Sequence, residues 1–398
     1  MGARLARGAL GLLVLAGTTL GQGAAQAGAE GAFPAPDSAR VGLEEALATG
    51  TRWLLAHQNE DGSFGSHHSP RPIEVLASFP GSQEAFRVAT TALCVLALRE
   101  VGSGEAETAA ARRTSIARAL DFLLAESAVK RQSGMEHYNV WAFGYTLQCF
   151  GEELLRDPRG DRVPALRGAC ARLVEKLAAY QTLDGGWGYL SLDAVPTFQP
   201  SFTSMSFTTA TILVGLERAR AAGVEVPAAL VRRAVGEIER SRLPDGAFLY
   251  GDYLQYSPRH VINERSGSAC RGPVCLLALD RLGPGVPASD FERALDDLLV
   301  RFPDYQKAGV RRPIPHESWF AISGYFYLYG HAYAAWALEE LPREKRRKAA
   351  ELLVQAVMYC RDPDGSFWDY PLYSYHKPYG TAFALITLAR ARRALGER

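Results

Sequence analysis

Several things are scarce or missing in this sequence, and each absence excludes something. Beyond residue 20 no apolar run is long enough to cross a bilayer, so no transmembrane segment is expected in the mature chain. Neither charge sign dominates: 44 Lys and Arg face 43 Asp and Glu, a formal net charge of +1. No polybasic surface follows, and nucleic acid is not an expected partner. Cysteine numbers only 6, with no CxxC and no Cys–His metal spacing. Cys94 and Cys275 fall at equivalent places inside two predicted inner helices, where small buried residues are wanted. Mostly buried thiols are therefore expected. One or two disulfides remain open, and no pairing follows from the sequence.

What is present begins with an address. Arg4 and Arg7, the apolar stretch Ala9 to Leu20 and the small residues Ala25-Gln26-Ala27 read as a signal peptide over residues 1–27. The chain is thus expected to be exported, to the periplasm or outside the cell. Without the leader, 42 basic and 43 acidic residues remain. Residues 28–40, rich in Ala, Gly and Pro, read as a flexible lead-in to one domain over 41–398.

One sentence of sequence recurs through that domain. It reads Gln181-Thr182-Leu183-Asp184-Gly185-Gly186-Trp187, and again Gln58 to Phe64, Arg242 to Phe248 and Asp362 to Phe367. Each copy ends an apolar helical pattern with Asp-Gly and follows it with an aromatic, so the chain is an internal repeat. These runs resemble the Gln-Trp repeats of the prenyltransferase/squalene oxidase and terpene cyclase superfamily, which implies an α/α toroid.

Two predicted helix types alternate. Amphipathic helices over about 41–57, 111–127, 165–180, 227–241, 288–301 and 344–360 suit an outer ring with one wet face. Helices richer in small and apolar residues, over about 88–100, 139–155, 206–221, 268–282, 329–341 and 379–395, suit a covered inner ring. Six of each predict an all-α (α/α)6 toroid of six helical hairpins. Inner-to-outer links are short, whereas most outer-to-inner links are long (58–87, 181–205, 242–267, 302–328, 361–378). Long structured loops are usually functional, so the end where inner helices begin should be the cavity mouth. The basic run Arg343 to Lys348 and the pair Asp296-Asp297 fall on outer helices and read as surface.

The inner helices align on a terminal leucine: Leu98, Leu216, Leu279, Leu338 and Leu388. Seven residues upstream lie Thr91, Thr209, Gly272, His331 and Thr381. Small residues and Thr there permit close packing and local capping. Eight upstream lie Thr90, Thr208, Arg271, Gly330 and Gly380, and Arg271 and His331 break the theme on adjacent helices and need partners, because an unpaired buried charge is costly. They are the catalytic candidates, expected to face the cavity, with Glu264 and Glu317 on mouth loops as countercharges. Trp141, Phe207, Tyr325, Tyr329 and His331 are the candidate ligand contacts at the mouth.

The resemblance also implies chemistry, and the residues depart from it. The prenyltransferases hold zinc with Asp, Cys and His. Cys270 and His331 occupy similar places, but the position of the Asp is Ser268, so the ligand set is incomplete and no zinc or other cofactor is expected. The DxDD motif of class II cyclases is absent, as is the Gly-Cys-Gly-Glu-Gln motif of complement-type thioester domains. The expected function is an exported toroid that binds a hydrophobic, isoprenoid-like molecule or a protein partner without the usual catalytic motifs. Two alternatives stay open: a secreted lyase or glycosidase, acting on a glycan with His331, Arg271 and tyrosines or with Glu264 and Glu317, and a divergent prenyltransferase or cyclase.

Overall fold

The computed structural model describes residues 36–68, 80–102, 106–131, 134–190, 203–308, 310–311 and 326–396. The leader, the lead-in as far as residue 35, Glu317 and Tyr325 lie outside the described residues. Long helices alternate along the chain as α1 (Pro36–Ala56), α2 (Pro80–Glu100), α3 (Ala106–Glu126), α4 (Asn139–Arg156), α5 (Val163–Tyr180) and α6 (Ser206–Ala221). They continue as α7 (Ala228–Ser241), α8 (Gly272–Leu282), α9 (Ala288–Asp296), α10 (Tyr327–Trp336), α11 (Arg343–Met358) and α12 (His376–Gly396). The first of them starts at Pro36, inside the stretch expected to be a flexible lead-in.

The even-numbered helices form a closed ring. Contacts run from α2 to α4, α6, α8, α10 and α12, and α12 packs back on α2. The odd-numbered helices lie outside: α1 on α12, α3 on α2, α5 on α4, α7 on α6 and α8, α9 on α8, and α11 on α10 and α12. This is the (α/α)6 toroid, and the strand-like pairing among the described residues is confined to isolated bridges. Burial explains the division. In α6 every residue from Ser206 to Leu216 is buried, whereas α7 buries Leu230, Val231, Ala234, Val235 and Ile238 at helical spacing and wets the other face. Inner helices also approach closely: a Cβ on Gly215 of α6 would stand 2.6 Å from the Gly144 carbonyl oxygen of α4.

The repeated Asp-Gly turns share one geometry. The glycines Gly62, Gly185, Gly246 and Gly365 all have φ between 87° and 104°, the left-handed region a side chain resists. The preceding aspartate caps the turn, Asp61, Asp245 and Asp364 accepting the N–H two residues on at 2.9–3.0 Å. The aromatics Phe64, Trp187, Phe248 and Phe367 are then fully buried. Each aromatic donates its backbone N–H to an inner-ring hydroxyl: Phe64 to Thr91, Trp187 to Thr209, Phe248 to Ser268 and Phe367 to Thr381, at 2.8–3.0 Å. The threonines seven residues before the terminal leucines therefore pin the turns to the ring. Ser268 does the same work.

The six cysteines are buried, and Cys94, Cys149, Cys170, Cys275 and Cys360 are free thiols. Asp297, expected at the surface, is buried and bound by Arg265 at 2.6 Å, because a π turn over Asp297–Arg301 rotates it inward from the end of α9.

Candidate functional site

The inner helices enclose a chamber of about 150 Å³ at the end where they begin. Its wall comes from residues one helical turn apart. Trp141 and Tyr145 line it from α4, Phe207 from α6, Tyr329 from α10, Tyr379 and Phe383 from α12, and Phe86, Ala89, Thr90 and Leu93 from α2. Tyr138, Tyr189, Phe326, Tyr370 and Leu372 complete it from the connections. None of these lining residues is an Asp, Glu, His, Lys or Arg. The rings brace one another: Phe326 stands edge-on to Phe207 at 4.8 Å, and Trp141 lies 6.0 Å from Phe207 and 6.4 Å from Tyr329. Tyr189 and Tyr250 join their hydroxyls in a short hydrogen bond behind the wall.

The floor is more polar. Tyr329 donates to the Phe207 carbonyl at 3.2 Å and shares a 2.9 Å hydrogen bond with Thr211. Tyr333, one turn below Tyr329 with ring centres 4.8 Å apart, brings its hydroxyl beside Tyr145 and Thr211. Burial raises the phenol pKa of Tyr145 and Tyr329 well above the usual value and that of Tyr333 to about 12, so all three stay neutral donors.

The sequence-derived candidates divide. Trp141, Phe207 and Tyr329 come together in the chamber wall. Arg271 and His331 do not line it. Arg271, with 1% of its surface exposed, gives its guanidinium to the carbonyls of Gly267 (2.7 Å), Phe248 (2.8 Å) and Ile262 (2.7 Å). It also lies 5.5 Å from the Tyr250 ring. Its described partners are thus backbone oxygens and a ring face rather than Glu264, which is exposed and accepts the Ser268 N–H through its own carbonyl at 2.8 Å.

His331 turns the other way from the chamber. Its Nδ1 lies 2.7 Å from the Tyr327 carbonyl, and its ring lies against that of Tyr327, whose hydroxyl donates to Ala356 in the outer helix α11. Burial holds the His331 imidazole neutral, with its pKa down to about 4. Cys270 is also buried, its side chain against the Gly330 backbone, and burial raises its thiol pKa. Among the described residues no three His, Cys, Asp or Glu side chains are placed to hold a metal ion.

Two buried carboxyls went unnoticed in the sequence. Burial raises Glu237 of α7 to about 7, helped by repulsion from Asp184, while Ser241 donates to it at 3.0 Å. Burial also raises Asp369 to about 7, although it accepts the backbone N–H groups of Leu328 and Tyr370 at 2.8 Å. The first of those bonds caps the start of α10. Asp369 follows an Asp-Gly turn by five residues, which was the only sequence signal available.

A pH dependence follows. A carboxyl with a raised folded pKa contributes stability fully below its ordinary pKa, and that stability is lost as pH rises to about 7. His137 and His331, both lowered to about 4, act in the opposite sense below their ordinary value of 6.5. The comparison is therefore with a variant: Glu237→Gln should gain stability relative to wild type between pH 5 and pH 8. Urea titrations at the two pH values check this, and a difference that does not change with pH would contradict it.

Comparison with known proteins places these features in context. Residues 37–156 match the family model of the A-macroglobulin TED domain, rather than the prenyltransferase repeat that the Asp-Gly turns suggested. No curated protein matches. Among solved structures, the chain is similar to the type II terpene cyclase MstE from Scytonema in complex with geranylgeranyl dihydroxybenzoate (TM-score 0.51, 14% identity, 91% of this chain and 100% of that one). It is also similar to a possible member of the GH105 family from Klebsiella pneumoniae (0.51, 14%, 92% and 100%). A third is the α-1,6-mannanase GH76A of Salegentibacter, in complex with α-1,6-mannotetrose (0.52, 10%, 89% and 99%). The shared feature is the α/α toroid; at these identities, fold does not carry function.

Proposed function

We propose that this is an exported toroid protein that binds a hydrophobic, isoprenoid-like molecule in its central chamber without converting it. The observation that carries this reading is the wall: aromatic and aliphatic side chains, with no ionisable acid, base or cation among them except tyrosine. Such a wall rewards apolar surface and cation-free rings, and offers nothing to neutralise a charged ligand. The toroid neighbour that binds a geranylgeranyl compound supports the ligand class. Two neighbours named as glycosidase-type proteins support the glycan reading, but the chamber supplies no carboxylate pair among its lining residues.

A second reading, a divergent cyclase, draws on Asp369. It is a carboxyl held protonated close to neutral pH beside Tyr370 and Tyr379, both in the chamber wall. Both of its oxygens already accept backbone N–H groups, which suits a helix cap better than a proton donor.

A thermal-shift panel separates these readings. Farnesol, geranylgeraniol and a triterpene should raise the midpoint, whereas neutral or acidic oligosaccharides and divalent metals should not. A ligand at a hundred times its dissociation constant adds about 2.7 kcal/mol to folding. A shift with oligosaccharide alone would overturn the proposal, and turnover of a shifting isoprenoid that disappears in Asp369→Asn would replace binding with cyclase chemistry.

A further inference from the structure

Among the described residues seven large hydrophobic side chains are exposed, and four of them gather on one sector of the rim around the chamber. Tyr256 exposes 87% of its surface, Leu183 72%, Met135 49% and Tyr253 41%. Leu183 is the tip of the second Asp-Gly turn, where the other copies carry Glu60, Pro244 and Pro363. Ser204 ties this turn to the connection that holds the two tyrosines. It donates its backbone N–H to Asp184 at 2.9 Å, and its carbonyl accepts the N–H of Asp252 at 3.0 Å. Met135 sits on a third connection, where Glu136 bridges Leu190 and His137 donates to the Tyr189 carbonyl at 2.7 Å. The chamber wall lies just inside: Tyr138 and Tyr189 line it, and Tyr250, two residues before Asp252, bonds the Tyr189 hydroxyl.

Apolar side chains scattered singly over a surface need no explanation, but a cluster beside a cavity marks a contact surface. Its chemistry says what it contacts. The four side chains stand on three separate connections with Asp184, Asp252 and Glu136 among them, so they project as points and do not form the continuous apolar core that a protein interface buries. Tyrosine, with an apolar body and a polar tip, suits the boundary between lipid headgroups and acyl chains. The charges around Leu183 and Tyr256 balance. Arg233 and Arg240 donate to carbonyls of the second turn and Arg259 shares the connection of Tyr256, against Asp184, Asp252 and Glu264. Such a rim does not select a headgroup by the sign of its charge.

We infer that this rim docks on the surface of a lipid bilayer, with Tyr256 and Leu183 entering the headgroup boundary, so that an apolar ligand passes from lipid to chamber without crossing water. Among the described residues no helix is long and apolar enough to cross a bilayer, and the attachment is interfacial. The transfer of ligand rests on the chamber being the ligand site; the docking of the rim rests on the exposed side chains alone.

The test is flotation with phosphatidylcholine vesicles, comparing the wild type, the double variant Leu183→Ser, Tyr256→Ser, and Leu155→Ser, whose exposed leucine ends α4 at the far end of the toroid. All three proteins carry the same N-terminus. The wild type and Leu155→Ser should float with the vesicles, and the double variant should partition at least about tenfold less, the scale of withdrawing these side chains from an apolar phase. Its melting midpoint should not move, since both side chains stand in water in the free protein. Raising salt from about 0.1 to 1 M should leave partition of the wild type unchanged. No flotation of the wild type, or equal flotation of the double variant, would overturn the docking surface and leave the chamber reading intact. Flotation only with phosphatidylglycerol vesicles, abolished by salt, would overturn it in favour of a charge-led contact. Flotation as expected together with no uptake of farnesol in solution would keep the docking surface and overturn the chamber reading.

Discussion

Arg271→Met should cost roughly 3–5 kcal/mol of folding stability, on the scale of a buried charged network losing one partner. The guanidinium fills the space under the connection between the third Asp-Gly turn and α8. Three carbonyls converge on it, from Phe248, Ile262 and Gly267. Methionine has a similar length and no donors, so all three oxygens would remain buried without hydrogen. Burial already presses the guanidinium pKa downward, which means that these bonds offset a desolvation cost instead of adding to a surplus. Arg271→Lys should recover only part of the loss, because one ammonium cannot present the planar fork that reaches both sides. Urea unfolding measures the effect, and limited proteolysis between residues 249 and 267 should accelerate in step. A loss under about 1 kcal/mol would show that the carbonyls find water instead.

Trp187→Ala should be about as damaging, at about 3–5 kcal/mol. Trp187 is among the largest fully buried side chains and sits between the outer helix it follows and the inner helix it precedes. Its indole N–H donates to the Leu177 carbonyl at the end of α5 at 2.8 Å, and its backbone N–H donates to Thr209 of α6 at 3.0 Å. The cavity left by the ring would lie against Gly186, where even a Cβ would meet Thr209 and Ser204 within 2.6 Å, so the backbone has little freedom to move. Trp187→Phe keeps most of the volume and gives up the indole bond. It should cost less than half as much. Equilibrium denaturation of both variants separates volume from hydrogen bond, and equal losses would assign the whole effect to the bond.

The sequence carried the architecture because the repeat states it several times over: helix, left-handed glycine, buried aromatic. The chamber wall was partly legible. Trp141, Phe207 and Tyr329, expected as ligand contacts at the mouth, are among the lining residues. His331 departs from the expectation through helix phase, whereas Arg271, eight before Leu279 as the chamber-lining Thr90 is eight before Leu98, is held off the chamber by the carbonyls of Gly267, Phe248 and Ile262. Counted back from the terminal leucines, four of the five residues nine upstream (Ala89, Phe207, Tyr329 and Tyr379, but not Cys270) line the chamber. Those seven upstream are rotated about 200° from them and face the turns and the outer ring. Thr91, Thr209 and Thr381 bond the turn aromatics from that phase, and His331 shares it, facing α11 through Tyr327. A polar residue that breaks a pattern of threonines therefore marked the outward side, not the cavity. Tyr145, which also lines the chamber, gave no such signal: tyrosine in a covered helix looks like packing.

The most direct measurement is calorimetric titration of farnesol into the wild-type protein and into Ala89→Phe. Ala89 lines the chamber from α2, and a phenyl ring there would occupy much of the 150 Å³ without touching Arg271, the Asp-Gly turns or the floor. Saturable binding by the wild type and none by Ala89→Phe, with the variant melting at or above the wild-type midpoint, is the result expected of a chamber that holds the ligand. Equal affinity in the two proteins would contradict it, and would put the binding surface elsewhere on the toroid.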